Sequence, residues 1–203
     1  MSVAIENALA ELKKGKFILV CDEESREDEA DLIMAAQFVT TENVNFMINN
    51  GRGLICVPLS TTTAKKLNLP LMVQDHAGTY ETAFTISVDY KKTNTGISSQ
   101  DRAMTISALG NAESTSEDFL RPGHIFPLIA WDEGVLVRAG HTEAAVDFMK
   151  LAGLNPVAVL CETLSADGVP LKGDLLREFA AHFNIQIVSI TELIEFRRSK
   201  SIS

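Results

Sequence analysis

The sequence has few cysteines, no long apolar run and no excess of positive charge. Its three cysteines, Cys21, Cys56 and Cys161, cannot all pair within one chain and lie in apolar runs. We expect them to be reduced, which suits the cytoplasm. The apolar runs are only as long as strands, so we expect no membrane span. Residues 1–6 lack the basic and apolar regions of a secretory signal, so none is expected there.

The charge balance argues against nucleic acid as the main partner. The formal net charge is −9, with 18 Lys and Arg against 27 Asp and Glu. Duplex binding needs a positive face, whereas a small phosphorylated substrate needs only a local cluster of donors. At 203 residues, with 46% hydrophobic and 22% charged residues, the chain has the composition of a globular protein with a substantial core.

Common cofactor motifs are also missing. The sequence has no zinc-ligand spacing, Walker loop, dinucleotide glycine fingerprint or nucleophile elbow. These absences remove most cofactor enzymes. They leave metal-assisted acid–base chemistry on a small anion as the main expectation.

The most informative segment present is an acidic run. Residues 22–31 hold seven carboxylates and one arginine, directly after the apolar residues 17–21. Carboxylates this close repel and raise one another's pKa, and a divalent cation such as Mg²⁺, which takes oxygen ligands, would relieve the repulsion. Charge runs are more often solvated loops. Here the apolar residues 32–36 follow at once, which favours a metal-binding segment.

Polarity patterns predict strands and helices without strict alternation, hence an α+β fold. We expect a single-domain α/β sandwich over 1–203, with a mixed sheet flanked by helices. Residues 70–82 are expected to form a loop. Strands are predicted at 16–21, 32–36, 54–58, 83–89, 125–130, 134–137, 157–161 and 185–188. Helices are predicted before Gly15, at 41–50, 60–67 and 172–183, from Ser98, from Thr142 through Met149 to a stop at Gly153, and from Thr191.

The segment 138–144 combines features of an anion site. A predicted strand ends at Arg138, whose guanidinium suits phosphate, and a helix is predicted to start near Thr142. Gly140 allows close approach of the backbone, and His141 could bind a metal or carry a proton. Alternatively, Thr142 only caps a helix and His141 is a surface histidine. Taken alone, the segment slightly favours this simpler interpretation.

Three other segments could contribute chemistry. His124 lies at a strand end beside glycine and proline, which would aim its ring; the alternative is a histidine bonded to a loop carbonyl. Glu162 ends a very apolar strand, a setting that suits a general base. The alternative is that its carboxylate simply emerges into solvent. Residues 93–102 could cradle phosphate or form a capped loop. Cys56 and Cys161 are predicted to be core residues rather than nucleophiles.

Together these segments resemble the 3,4-dihydroxy-2-butanone 4-phosphate synthase family of the riboflavin pathway. The resemblance covers nearly the whole chain, and its motifs occur in the family's order. The length matches the stand-alone form, and we expect no fused cyclohydrolase domain. The motifs are at 22–31, 51–59, 95–98 with 101–102, 121–124, 140–144 and 151–162.

The resemblance implies a lyase that converts D-ribulose 5-phosphate into 3,4-dihydroxy-2-butanone 4-phosphate and formate. The steps would be enolisation, dehydration and skeletal rearrangement. Mg²⁺, or Mn²⁺, would be the cofactor, and the enzyme would be a cytoplasmic homodimer with sites near the interface. No nucleic-acid or membrane partner is implied. Alternatives are another metal-dependent sugar-phosphate isomerase or aldolase, and a non-catalytic sugar-phosphate-binding homologue.

The resemblance also implies roles for particular residues. These roles are catalytic, substrate-binding and metal-binding. The catalytic residues would be His124, Glu162, Asp31 and Glu29. Substrate would be bound by Arg26, Glu27, Asp31, Arg138, Ala139, Gly140, His141, Thr142 and Glu162. The metal would be held by Glu27 and His141.

The acidic run departs from the family's usual pattern at three positions. Ser25 stands where Asp is common, Asp28 where Asn is common, and Ala30 where Gly is common. An alanine is strained wherever the backbone needs a positive φ. If the loop needs positive φ at Ala30, we therefore expect strain there, but we still expect activity.

Overall fold

Seven strands of the described chain form one mixed sheet with helices on both faces. The computed structural model describes residues 2–23, 28–73 and 82–200. This architecture confirms the predicted α+β class. The strands are β1 Ile18–Cys21, β2 Ala30–Ala35, β3 Cys56–Leu59, β4 Val88–Tyr90, β5 Phe119–Ile129, β6 Ala158–Glu162 and β7 Gln186–Ser189. The α-helices are α1 Val3–Lys13, α2 Thr41–Phe46, α3 Thr61–Lys66, α4 Ser99–Leu109, α5 His141–Ala152, α6 Gly173–Phe183 and α7 Ile190–Lys200.

The strand order across the sheet is β4-β5-β3-β6-β2-β1-β7. Strand β2 pairs antiparallel with both β1 and β6, whereas β1 pairs parallel with β7 and β3 parallel with β5. The sheet is therefore mixed, as predicted. None of the described helices is both long and apolar enough to cross a membrane.

The middle strands of the sheet have apolar side chains on both faces, because helices cover both faces. Successive β2 residues Ile33 and Met34 point to opposite faces, and both are fully buried. Ile33 packs with residues of α1, α5 and α7, while Met34 packs with residues of α2, α3 and α4. Each such buried side chain stabilises the fold by about 1.5–3 kcal/mol.

Three helix boundaries test the capping predictions. Ser98 is the N-cap of α4, and its Oγ accepts the Asp101 N–H at 3.0 Å, as predicted. Gly153 ends α5 with φ +70°, also as predicted. The prediction that Thr142 caps α5 is wrong. The N-cap is Gly140, and Thr142 lies inside the first turn, where it is buried.

Three predicted elements differ from the structure. Residues 134–137 are not a strand, because Gly134 has φ +66° and Gly134–Leu136 forms a 3₁₀ turn whose Val135 N–H donates to Asp147 Oδ2 at 2.9 Å. Predicted strand 83–89 is regular only from Val88, although Phe84 forms an isolated bridge to β5. Predicted helix 41–50 becomes α2 followed by a π turn. Residues 74–81 of the predicted loop lie outside the described residues.

The acidic run connects β1 to β2. Asp22 N–H donates to the Glu29 carbonyl at 3.3 Å, and Glu29 N–H donates to Asp22 Oδ1 at 2.9 Å, so the two strands remain paired beyond their ends. In the part of the run that the structure describes, the positive φ falls on Asp28, at +54°, and Ala30 pairs with Cys21 inside β2. Ala30 therefore does not carry the strain expected of an alanine at positive φ. Residues 24–27, which include the predicted ligands Arg26 and Glu27, lie outside the described residues.

Candidate active site

A polar cavity of about 160 Å³ lies where the start of α5 faces the central strands. Its other walls are apolar side chains, a cysteine and Thr82. Most of the predicted site residues within the described chain meet there. The cavity is lined by Glu29, Asp31, Arg138, His141, Thr142 and Glu162.

Two carboxylates sit side by side because of the strand register. Asp31 on β2 lies directly opposite Glu162 on β6, and Asp31 is only 3% exposed. Side chains opposite each other in antiparallel strands have Cβ atoms about 4.5–5.5 Å apart. Glu162 Oε2 accepts the Leu54 N–H at 2.7 Å. Gly53 permits this approach, because a Cβ there would lie 2.7 Å from the Glu162 Cβ.

The cavity's cation, Arg138, is held by a buried glutamate. Arg138 Nη1 donates to Glu143 Oε2 at 2.5 Å, and Nη2 donates to Thr82 Oγ1 at 3.1 Å. Glu143 is 1% exposed, and burial raises the pKa of its carboxyl while the Arg138 charge opposes that rise. Trp131 N–H donates to the other oxygen at 3.2 Å. Gly140 leaves room for the guanidinium in this position, because a Cβ there would collide with it.

His141 is buried, so its interpretation as a surface histidine is wrong. Its Nε2 lies 3.1 Å from the carbonyl oxygen of Val20. A carbonyl oxygen only accepts, so Nε2 carries the hydrogen and Nδ1 is the nitrogen that could bind a metal. His141 and Thr142 begin α5, whose first N–H groups make an environment that favours anions.

Neither buried thiol near the cavity is a nucleophile. Burial raises the pKa of the Cys161 thiol to about 12, with a further rise from the charge of Glu162. Burial also raises the pKa of Cys56, with Glu162 and Asp31 adding to the rise. Both thiols stay protonated at neutral pH. Their prediction as core residues is confirmed, and all three cysteines, each within the described chain, are free of disulfides.

His124 is not among the described residues that line the cavity. It lies on β5, where its N–H donates to Asp89 Oδ1 at 2.9 Å and its Nδ1 lies 2.7 Å from Asp89 Oδ2. Its partner is thus a carboxylate, and the prediction of a loop carbonyl is wrong. Sequence reasoning missed Asp89, although an acid at the end of the alternating run 83–89 was a signal for it.

The loop before α4 is organised by its own carboxylate. Asp101 accepts the N–H groups of Asn94 and Gly96, each at 3.2 Å. These two donors are therefore occupied by a side chain rather than turned toward a ligand. Of the two interpretations of residues 93–102, the structure favours the capped loop.

The cavity has the donor chemistry of a hard-cation site. Across residues 2–23, 28–73 and 82–200, no group of three His, Cys, Asp or Glu side chains is arranged to hold a metal. His141, Glu29, Asp31 and Glu162 nevertheless line one small space. Oxygen ligands of this kind suit Mg²⁺ and Mn²⁺, so the residues present fit such an ion.

Comparison with known proteins shows the family of this chain. The model of the 3,4-dihydroxy-2-butanone 4-phosphate synthase family matches residues 6–196. The chain belongs to that family. It is 51% identical over 194 residues to "Riboflavin biosynthesis protein RibBA" of Bacillus cytotoxicus and to that of Bacillus cereus, covering 96% of this chain and 49% of each relative. The chain thus spans about half the length of the curated relatives it matches.

Solved structures of the family share the whole fold. A 3,4-dihydroxy-2-butanone 4-phosphate synthase in complex with two magnesium ions superposes with a TM-score of 0.93 at 39% identity, covering 98% of this chain and 99% of that one. RibBX of A. baumannii, a two-domain synthase, gives a TM-score of 0.92 at 43% identity, covering 95% of this chain and 57% of that one. The predicted architecture is confirmed by these matches.

Proposed function

We propose that this chain converts D-ribulose 5-phosphate into 3,4-dihydroxy-2-butanone 4-phosphate and formate, as a single domain over 1–203. One observation supports this most. Asp31 and Glu162 meet across adjacent strands and share a small cavity with Arg138 and His141. Paired carboxylates, a cation and a histidine are the groups that proton transfer on a phosphorylated sugar needs.

Substrate binding is assigned to the start of α5. Arg138 presents a planar fork of donors to the phosphate, and the N–H groups of residues 139–142 add the dipole of the helix. Glu143 holds the guanidinium in place, so little freedom is lost when the phosphate binds. Asp31, Glu29 and residues 26–27 would hold the hydroxyl end of the sugar.

Acid–base work is assigned to Glu162 and His124. The Leu54 N–H fixes one Glu162 oxygen and leaves the other to take a proton from a substrate carbon. Magnesium or manganese bound at His141 Nδ1 and Glu27 would supply positive charge beside the oxygens that become negative as the proton leaves. The related synthase in complex with two magnesium ions supports magnesium as the cofactor.

A homodimer would bring His124 to the cavity of a second copy. The His124 side chain is 41% exposed. Two apolar side chains near it are more than half exposed: Leu120, on the same strand, and Ile97, which follows Gly96 in the loop that lies against His124. An exposed histidine among exposed apolar side chains suits an interface. The free thiols support the cytoplasm as the working compartment.

Subunit complementation tests the shared site. H124Q and E162Q would each be inactive. In a mixture that exchanges subunits, half of the dimers are mixed and each has one intact site, so about a quarter of the wild-type rate returns. A mixture that stays inactive, although subunit exchange is demonstrated, would show that His124 does not act across an interface.

The reaction itself is tested by incubating the protein with ribulose 5-phosphate, with and without Mg²⁺. We expect one formate for each four-carbon phosphate, and only with the metal. An isomerised or cleaved sugar without formate would indicate an isomerase or aldolase. Binding of the sugar phosphate without turnover would indicate a non-catalytic homologue.

A further inference from the structure

We propose that Arg197 of α7 is a positioning residue for Arg138, the arginine assigned to the substrate phosphate. Arg197 acts through the short segment 131–138, which it ties to Asp147 of α5. It does not line the cavity itself, so its effect on the substrate passes through Arg138. The importance of this tie for substrate binding rests on the proposed function above.

Asp147 and Arg197 hold the turn at 133–135 from two different helices. Asp147 is 2% exposed, and its Oδ2 accepts the Val135 N–H at 2.9 Å and Arg197 Nη1 at 2.6 Å. Arg197 Nη1 also donates to the carbonyl oxygen of Glu133 at 2.7 Å. The turn is therefore fixed at a carbonyl by α7 and at an N–H group by α5.

The position of this turn sets the position of the Arg138 main chain. The carbonyl oxygen of Gly134 accepts the Arg138 N–H at 3.2 Å. Gly134 has φ +66°, and a Cβ there would collide with both carboxylate oxygens of Asp147. The turn can lie this close to Asp147 because residue 134 is a glycine. A shift of the turn would therefore shift Arg138 as well.

A second buried carboxylate of α5 holds the two ends of the same segment. Glu143 accepts the Trp131 N–H at 3.2 Å and Arg138 Nη1 at 2.5 Å. Glu143 and Asp147 are four residues apart and so lie on one side of the helix. Glu143 can hold the guanidinium only while the main chain of Arg138 keeps it within reach, and that placement depends on the turn that Arg197 secures.

The alternative is that Arg197 serves stability alone, because removing one partner of a buried ion pair leaves an uncompensated charge. In that case R197M would weaken phosphate binding only by loosening the whole fold. The double variant R197M/D147N separates the two roles. Asparagine keeps the shape of Asp147 and can still accept the Val135 N–H, but it buries no charge, so most of the lost stability should return. The tie from α7 to the Glu133 carbonyl stays broken.

Calorimetric titration with ribulose 5-phosphate, without metal so that no turnover occurs, measures the effect on binding. A displacement of about 1 Å caused by a distant substitution can cost about 10²-fold. We expect R197M and R197M/D147N each to raise the Kd by about 10-fold. In the formate assay with Mg²⁺, KM should rise by a similar factor while kcat changes by less than about 3-fold, because the lost contact serves substrate and transition state alike.

The matched control is R198M. It removes the same charge from the next residue of α7, whose side chain is exposed. R198M should bind and turn over the substrate like the wild type. An equal loss of affinity in R198M would show that only the charge of α7 matters, and this would overturn the inference.

Nitrogen NMR of the full-length protein with ¹⁵N-labelled arginine reports on Arg138 without any need for activity. The R138M spectrum identifies the Arg138 signals. A guanidinium held by a carboxylate turns slowly about its C–N bonds and gives separate signals for its Nη hydrogens. We expect separate signals in the wild type and in R198M, because Glu143 holds Nη1. In R197M/D147N they should merge.

Merged Arg138 signals in the wild type would overturn the inference without any variant. So would a folded R197M/D147N that binds ribulose 5-phosphate like the wild type or keeps separate signals. That variant carries the test even if R197M fails to fold. If its Arg138 signals merge as expected but the wild type does not bind the sugar phosphate, the positioning stands and the proposed function fails.

Discussion

Replacing Arg138 by methionine removes the cation from a carboxylate that is almost fully buried. Glu143 is 1% exposed, and Arg138 Nη1 donates to it at 2.5 Å. Breaking a buried ion pair by removing one partner costs about 3–5 kcal/mol, because the remaining charge is uncompensated. We expect R138M to lower the free energy of unfolding by about that amount in urea at neutral pH.

The double variant R138M/E143Q isolates the cause. Glutamine keeps the size of Glu143 and can still accept the Trp131 N–H, but it buries no charge. We expect it to restore about 2 kcal/mol or more of the loss. It should not restore activity, because the guanidinium assigned to the phosphate is still missing. A double variant no more stable than R138M would refute the reasoning.

The stability of R138M should depend on pH, and the sign of that dependence can be worked out. Burial raises the pKa of the folded Glu143 carboxyl, and loss of Arg138, which lowers that pKa, raises it further. A carboxyl with a raised folded pKa destabilises the fold above that pKa, and the penalty is relieved as pH falls through it. Measured against the wild type, R138M should therefore recover stability on acidification. R138M/E143Q should show no such recovery in the same urea titrations.

Three further outcomes are expected. G53A should lower formate production by about 10-fold or more, since the new Cβ would displace Glu162; a rate like that of the wild type would contradict this. H141A should abolish tight Mn²⁺ binding in calorimetry, as Nδ1 is lost; unchanged affinity would contradict the metal assignment. The thiol of Cys161, with its pKa of about 12, should resist iodoacetamide at pH 8 until urea unfolds the protein, and rapid labelling of the folded protein would contradict this.

Local signals predicted much of the fold. Ser98 marks a helix start through its hydroxyl, and Gly153 marks a helix end through the conformational freedom of its backbone. A few neighbouring residues were therefore enough to predict both ends. The same holds for the apolar strands. One failure has a cause outside the segment: residues 134–137 have a strand-like composition, but they form a 3₁₀ turn whose Val135 N–H donates to a buried carboxylate of α5, Asp147.

Site residues were predictable where a motif placed them close together in the chain. Arg138, His141 and Thr142 belong to one segment, and the structure keeps them together at the start of α5. Glu143 and Asp89 were missed, because each acts on a residue that the sequence had already singled out. The role of each depends on its burial and on a hydrogen bond to one particular partner, and neither property can be predicted from residue type.

By itself, the sequence determined the α+β class, the order of most elements and the family, since these depend on local periodicity and on motifs within single segments. Only the tertiary structure decided which distant groups meet. Strand register places Asp31 opposite Glu162. The pairing of β4 with β5 places His124 next to Asp89 and not at the cavity. Register and packing arise from long-range pairing, in which a shift of one residue turns every side chain to the other face.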